Sequence, residues 1–232
     1  MAIAMRFQPL LRFFYRARLT KSRAFIGGVF ILLMGYLSFF TDRFDDPERR
    51  LWVYWPVMVL LLQLWLPDDG PGLAGGVRLF AIPRQNMRPV ILAWLAARNL
   101  LAISVGLAAV IILYNVDIFS SDSVAMTTVI TLGICVFLAN LSSFVGMFVR
   151  GKAHLAAMWA LMLLIVFFIA RAGDVMRPLL SALLLPFESI TLGVKSTIEP
   201  LDENMLALAY PFVTSALVWC TLSFLAFHRR FR

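Results

Sequence analysis

The sequence predicts an all-α, polytopic membrane protein with six transmembrane helices, an interfacial helix ahead of the first and a re-entrant helical hairpin on the outer face before the last. Three observations predict it. Of 232 residues, 61% are hydrophobic and 15% charged, with a mean hydropathy of +0.86, a composition for which lipid rather than water is the solvent of most side chains. The apolar residues gather in stretches of 16 to 27, close to the roughly 17–25 a helix needs to cross a bilayer. The cations, finally, sort by loop. With a cytoplasmic N-terminus and six spans, fourteen of the 21 lysines and arginines lie inside: Arg6, Arg12, Arg16, Arg18, Lys21, Arg23, Arg78, Arg84, Arg88, Arg150, Lys152, Arg229, Arg230 and Arg232. Eleven of the 13 acids lie outside. The cationic bias sets the orientation, so both termini are expected in the cytoplasm and the chain in the cell inner (cytoplasmic) membrane.

Residues 1–23 read as a cytoplasmic amphipathic helix. Phe7, Leu10, Leu11 and Phe14 share one face at helical spacing, and Gln8, Arg12, Arg16 and Thr20 the other, the pattern of a helix lying in the membrane interface. Arg18 and Lys21 fall on the apolar side and end it. Residues 24–232 form the transmembrane domain. Its first two spans, about 24–40 and 51–66, are short and joined by an acidic turn; Trp52, Tyr54 and Trp55 make an aromatic belt at the outer start of the second. Pro67, Asp68, Asp69, Gly70, Pro71 and Gly72 then break the helix and open a cytoplasmic segment.

The next spans are expected at about 88–114, 124–148 and 154–170. Residues 171–206 are apolar but interrupted by Pro178, Pro186, Glu188, Gly193, Lys195 and Pro200. A crossing there would also place Arg229, Arg230 and Arg232 outside, against the cationic bias. Two short re-entrant helices meeting near Pro186, Phe187 and Glu188 are expected instead, with their freed backbone groups buried in protein or facing water. The last span, about 207–227, closes in His228, Arg229 and Arg230.

The formal charge of +8 flanks apolar spans rather than a polar domain, so membrane lipids, not nucleic acid, are the expected anionic partner. Cys135 and Cys220 both lie within spans with no ligand spacing around them, indicating neither a disulfide framework nor a metal site. The basic N-terminus lacks a short apolar core and a small-residue cleavage site, so the first span is expected to be retained.

The layout resembles the permease subunits of ABC-2 type exporters. The local likeness is best from Val77 through Arg78, Leu79, Phe80, Ala81, Ile82, Pro83, Arg84, Gln85, Asn86, Met87 and Arg88 into Pro89 to Trp94, and again in the C-terminal run from Phe224 to Arg232 with its paired arginines. The resemblance implies a dimer, either a homodimer or a pair with a related permease, with no ATPase of its own. It implies a separate nucleotide-binding subunit, carrying ATP and Mg, that presses on a coupling segment at about 77–87 and so on Arg78, Phe80, Ile82, Pro83, Arg84, Gln85 and Arg88. The residues suit docking in their own right: Phe80 and Ile82 are apolar anchors, Arg84 and Arg88 cations, and Pro83 stiffens the backbone. As an unadorned loop, the same cations would merely obey topology.

Gly146 to Ala153 nearly spells a phosphate-binding loop, but its first glycine ends an apolar span rather than following a strand. Arg98, ten residues into a span, is expected to snorkel to the inner interface. Gln63, Asn140, Ser142 and Ser143 are either interhelical glue or the lining of a substrate route, and Pro186, Phe187 and Glu188 form a candidate outer gate. His154 and His228 are expected as interface residues. No catalytic constellation is present in the sequence, which leaves a non-transporting membrane scaffold or assembly subunit, and behind it a secondary transporter, as alternatives to the exporter.

The topology makes a direct prediction. In a background lacking Cys135 and Cys220, single cysteines at Asp46 and Val116 should react with an impermeant thiol reagent from outside, and those at Gly75 and Gly151 only after the membrane is opened. Labelling of position 75 from outside would reject the six-span threading.

Overall fold

A computed structural model describes residues 2–18, 87–149 except 116–123, 153–173, 175–186 and 205–230. These residues are helical with short connecting turns: α1 Ala2–Arg18, α2 Met87–Asn115, α3 Val124–Val145, α4 Ala153–Arg171, α5 Met176–Leu184 and α6 Met205–Arg230. The expected first two spans, the coupling segment at 77–87 apart from its last residue, and the second half of the hairpin lie outside the described residues.

Three helices carry stretches long and apolar enough to cross a membrane, Arg88–Ala108, Thr128–Val145 and Ala209–Arg229, and α4 supplies a shorter one, Ala156–Arg171. Their apolar residues face both ways. Ile134, Phe137, Leu141, Met158 and Ile165 are buried between helices, while Ile111, Leu163, Phe168, Val213 and Leu217 are each more than half exposed. A helix apolar on every side is stable only where its outer surface also meets a nonpolar solvent, and this identifies the chain as a helical membrane protein.

Leu10 and Phe14 of α1, Val90, Ile91 and Trp94 near the start of α2, Met147 just beyond α3, and Phe227 near the end of α6 form one buried cluster. The start of α2 and the ends of α3 and α6 therefore share one end of the bundle, so α2 runs opposite to its two neighbours. His154, at the start of α4, joins the same end through Ser142. Arg88 and Arg229 are exposed there.

The amphipathic pattern of α1 places its side chains as expected: Leu10 and Phe14 are buried, Phe7 and Leu11 half-buried, and Gln8, Arg12 and Arg16 exposed. Its attitude differs from a helix lying across the bundle's end. The Tyr15 hydroxyl is 3.4 Å from Ser104 Oγ, and Ser104 lies about 24 Å along α2 from Arg88 at 1.5 Å per residue. α1 leans along α2, its apolar stripe packed on the start of that helix.

α5 is the first half of the expected hairpin. Pro178 does not interrupt it, contrary to the sequence reading. It occupies the first turn, where the backbone N–H has no intrahelical partner and its loss costs nothing, while Met176 and Arg177 donate theirs to the Gly173 carbonyl at 2.9 and 3.0 Å. At the other end Leu185 turns to extended backbone and Pro186 follows, leaving the last carbonyls of α5 without helical donors. α6 provides them. Thr214 Oγ1 lies 2.8 Å from the Ala182 carbonyl and Trp219 Nε1 donates to that of Leu184 at 2.9 Å. Thr214 and Trp219 sit about 14 and 21 Å along a helix about 39 Å long, so α5 ends half-way down the bundle.

α3 is the central helix, packed on α2 and on α6, and its glycine permits the second contact. A Cβ built on Gly133 would lie 2.5 Å from Phe212 Cγ and 2.9 Å from Phe212 Cβ. At Gly106, the nearest atom is the methyl end of Leu132 at 2.9 Å, which can swing aside. Gly133→Ala is therefore expected to lower stability by about 1–3 kcal/mol through overpacking, and Gly106→Ala by less. Thermal unfolding in detergent measures both, and in the Gly133→Ala/Phe212→Ala double variant the two losses should not add.

Candidate functional site

Among the described residues, six of the eight buried polar side chains collect toward the end where α1 docks, Ser181 and Ser215 lying farther along. Arg98, Asn140, Ser142, Ser143 and Ser223 are each at most 2% exposed, and His154 is 9% exposed. They come from four helices, and in lipid each of their polar groups must find its partner within the protein.

Asn99 of α2 and Asn140 of α3 face one another as a reciprocal amide pair. Asn140 Nδ2 donates to Asn99 Oδ1 at 2.9 Å and Asn99 Nδ2 to Asn140 Oδ1 at 3.3 Å. Each amide nitrogen directs a further hydrogen to its own helix, Asn99 to the Leu95 carbonyl at 3.0 Å and Asn140 to that of Val136 at 2.9 Å. All four amide hydrogens are thus placed, and the pair locks the register of α2 against α3. Ser223 of α6 adds a longer bond, 3.4 Å, to the Asn140 carbonyl.

One residue away, Arg98 does not snorkel to water. Its Nη2 donates to Ser142 Oγ at 3.0 Å, and its guanidinium carbon lies 5.2 Å from the centre of the Trp94 ring. Side chains on a helix tilt toward its N-terminus, so the arginine does run back one turn toward the α1 end. There Trp94 and α3 enclose it in a cation–π and hydrogen-bonded site. Trp94 is itself held edge-on against Phe227, ring centres 4.7 Å apart. The desolvated cation, α2 and the last turns of α3 and α6 are thereby one packed unit.

The carbonyl of Ser142 accepts twice, from Gly146 N–H at 2.9 Å and from His154 Nε2 at 3.0 Å. This ties the start of α4 to the end of α3 and makes His154 the α3–α4 clasp. Ser143 bonds back to its own helix, to the Ala139 carbonyl at 2.7 Å. Of the three candidates on α3, then, Asn140 and Ser142 join helices and Ser143 does not.

The remaining sequence candidates separate from this cluster. Gln63, Arg78, Phe80, Ile82, Pro83, Arg84 and Gln85 lie outside the described residues, as do Phe187 and Glu188. Arg88 is exposed at the start of α2, and Pro186 is buried beside the end of α5. His228 stacks on Phe224, ring centres 6.1 Å apart. The near phosphate-loop has its N–H groups engaged: those of Gly146, Met147, Phe148 and Val149 all return to carbonyls of residues 142–145. They close the end of α3 instead of cradling an anion. Among the described residues no group of His, Cys, Asp or Glu is arranged to hold a metal.

Asn99, Trp94 and Ser223 were not singled out from the sequence. The available signal was Asn99 itself, an amide inside an apolar span, which must hydrogen-bond to something.

Comparison with protein-family models, with curated proteins and with solved structures finds no match to this chain.

The amide pair yields a measurable coupling. Asn99→Ala and Asn140→Ala should each destabilise the bundle by about 1–2 kcal/mol, by leaving the opposite amide buried and unpaired. Their double-mutant coupling should be about 0.6–1.7 kcal/mol, the range for hydrogen bonds between membrane helices. Strictly additive losses in reversible unfolding would mean that the pair contributes nothing to helix association.

Proposed function

We propose that this chain is the membrane permease subunit of an ATP-driven exporter of the ABC-2 class, with six spans, both termini cytoplasmic, in the cell inner membrane. It works as a dimer, with itself or with a related permease. It moves a hydrophobic or amphipathic substrate using ATP and Mg bound by a separate ATPase subunit, and has no catalytic site of its own.

The observation that carries the reading is α5, a helix that enters the bundle beside α6, stops half-way and comes before α6 in chain order. With the amphipathic α1 docked at the opposite end of the chain order and apolar helices of alternating direction between, this is the sequence of parts on which the resemblance rests. α5 is held chiefly by packing and by the two donors from Thr214 and Trp219. A segment attached in this way can change its depth without breaking the polar cluster, the property an outer gate at Pro186, Phe187 and Glu188 requires. Arg78, Phe80, Ile82, Pro83, Arg84, Gln85 and Arg88 take the ATPase contact. The closed polar cluster favours one competing reading, a non-transporting scaffold, since it is built for fixed helix positions.

Co-purification separates the two. The exporter should recover a nucleotide-binding subunit with the wild-type chain. Phe80→Ala/Arg84→Glu should weaken that association or uncouple ATP hydrolysis from transport, with membrane insertion intact, because an anchor and a charge contact are lost together. A chain that recovers no ATPase, or a double variant with unchanged association and coupling, would reject the assignment.

A further inference from the structure

The arginine-bearing side of α1 is the largest charged feature of the described residues that the proposed function leaves unused. Arg12 and Arg16 are one helical turn apart and exposed. With Pro9 and Phe13, also one turn apart, they line an open groove of about 520 Å³. The groove thus has two guanidinium groups along one side and two apolar rings along the other.

Its position gives it a chemistry. Leu10 and Phe14, on the opposite face of α1, are buried in the cluster that includes Val90, Ile91 and Trp94 of α2, and Tyr15 reaches Ser104. All four α2 residues belong to the apolar stretch Arg88–Ala108. α1 therefore packs beside the apolar stretch of α2, with Arg12 and Arg16 on its exposed side. Two guanidinium groups there are stable with an anion beside them. The anion that arrives from the lipid side is a phospholipid phosphate, which the planar guanidinium binds in bidentate fashion.

We propose that the groove formed by Pro9, Arg12, Phe13 and Arg16 binds the headgroup of an anionic phospholipid, with the phosphate between the two arginines and the glycerol and upper acyl chain along Pro9 and Phe13. The lipid would act as a wedge that completes the outer side of α1, whose inner side is sealed by Leu10 and Phe14. This site does not depend on the transport reading and stands or falls separately from it.

The test uses the full chain in nanodiscs of phosphatidylcholine with and without a minor fraction of phosphatidylglycerol. Lipid retained after mild detergent extraction is counted by native mass spectrometry. The wild type should retain phosphatidylglycerol preferentially, and Arg12→Gln/Arg16→Gln should lower that preference about ten- to thirtyfold, on the scale of two interfacial cations. Raising the ionic strength should erode the wild-type preference, a measurement that needs no variant to fold. Three outcomes overturn the site: equal retention of the two lipids by the wild type, an unchanged preference in the double variant, or full competition by inorganic phosphate at equal concentration, which would indicate a free-anion site open to water.

Discussion

Hydrocarbon offers no hydrogen bonds, and this is the constraint on which the architecture depends. Every backbone N–H and carbonyl, and every polar side chain inside the bundle, has to be satisfied by the protein itself. The long helices meet the requirement internally for their own backbones. Where the helical ladder stops within the bundle, or a polar side chain is drawn inward, a neighbouring helix supplies the partner at several positions, while Ser143 and Ser215 bond back to their own helices. Asn99 and Asn140 complete one another, Arg98 is received by Ser142 and Trp94, and the Ser142 carbonyl holds His154. The broken end of α5 is completed by Thr214 and Trp219 of α6.

The same constraint gives the bundle two unlike halves. Toward the α1 end, hydrogen bonds and an enclosed cation join α2, α3, α4 and α6 at fixed register, with Trp94 and Phe227 packed across them. Toward the other end interhelical hydrogen bonds are fewer, those of Thr214 and Trp219 to the end of α5 among them, and close packing adds to them where the Gly133 backbone meets Phe212. Apolar side chains gain little from meeting each other in lipid rather than meeting lipid, so shape decides these contacts. A bundle made this way is stiff where its polar groups gather and adjustable where only packing holds it. α5 packs in the second of these halves, with its end held by Thr214 and Trp219.

α1 shows the complementary case of a charged element accommodated by a membrane protein. One face is apolar enough to be covered by α2, and the other carries arginines that need an anion or water. The helix is thus a boundary piece with one side determined by protein and the other by the lipid it meets.

The positions of α2, α3, α4 and α6 were legible in the sequence. Apolar run length and breaking residues are local properties, and expectations of 88–114, 124–148, 154–170 and 207–227 correspond to Met87–Asn115, Val124–Val145, Ala153–Arg171 and Met205–Arg230. The buried stripe of α1 was equally legible, since Phe7, Leu10, Leu11 and Phe14 fall on one face by spacing alone. Pro178 was misread as a break because a proline's effect depends on whether it falls in a first turn or an interior, and the start of α5 was not marked by a capping side chain. Which polar residues meet was decided only by tertiary structure. Asn99 and Asn140 are 41 residues apart, and Thr214 lies 32 residues from the carbonyl it faces. Arg98 was misread as snorkelling for the same reason: whether a cation within a span reaches water or is enclosed depends on the helix packed over it, and periodicity within one helix carries no information about its neighbour.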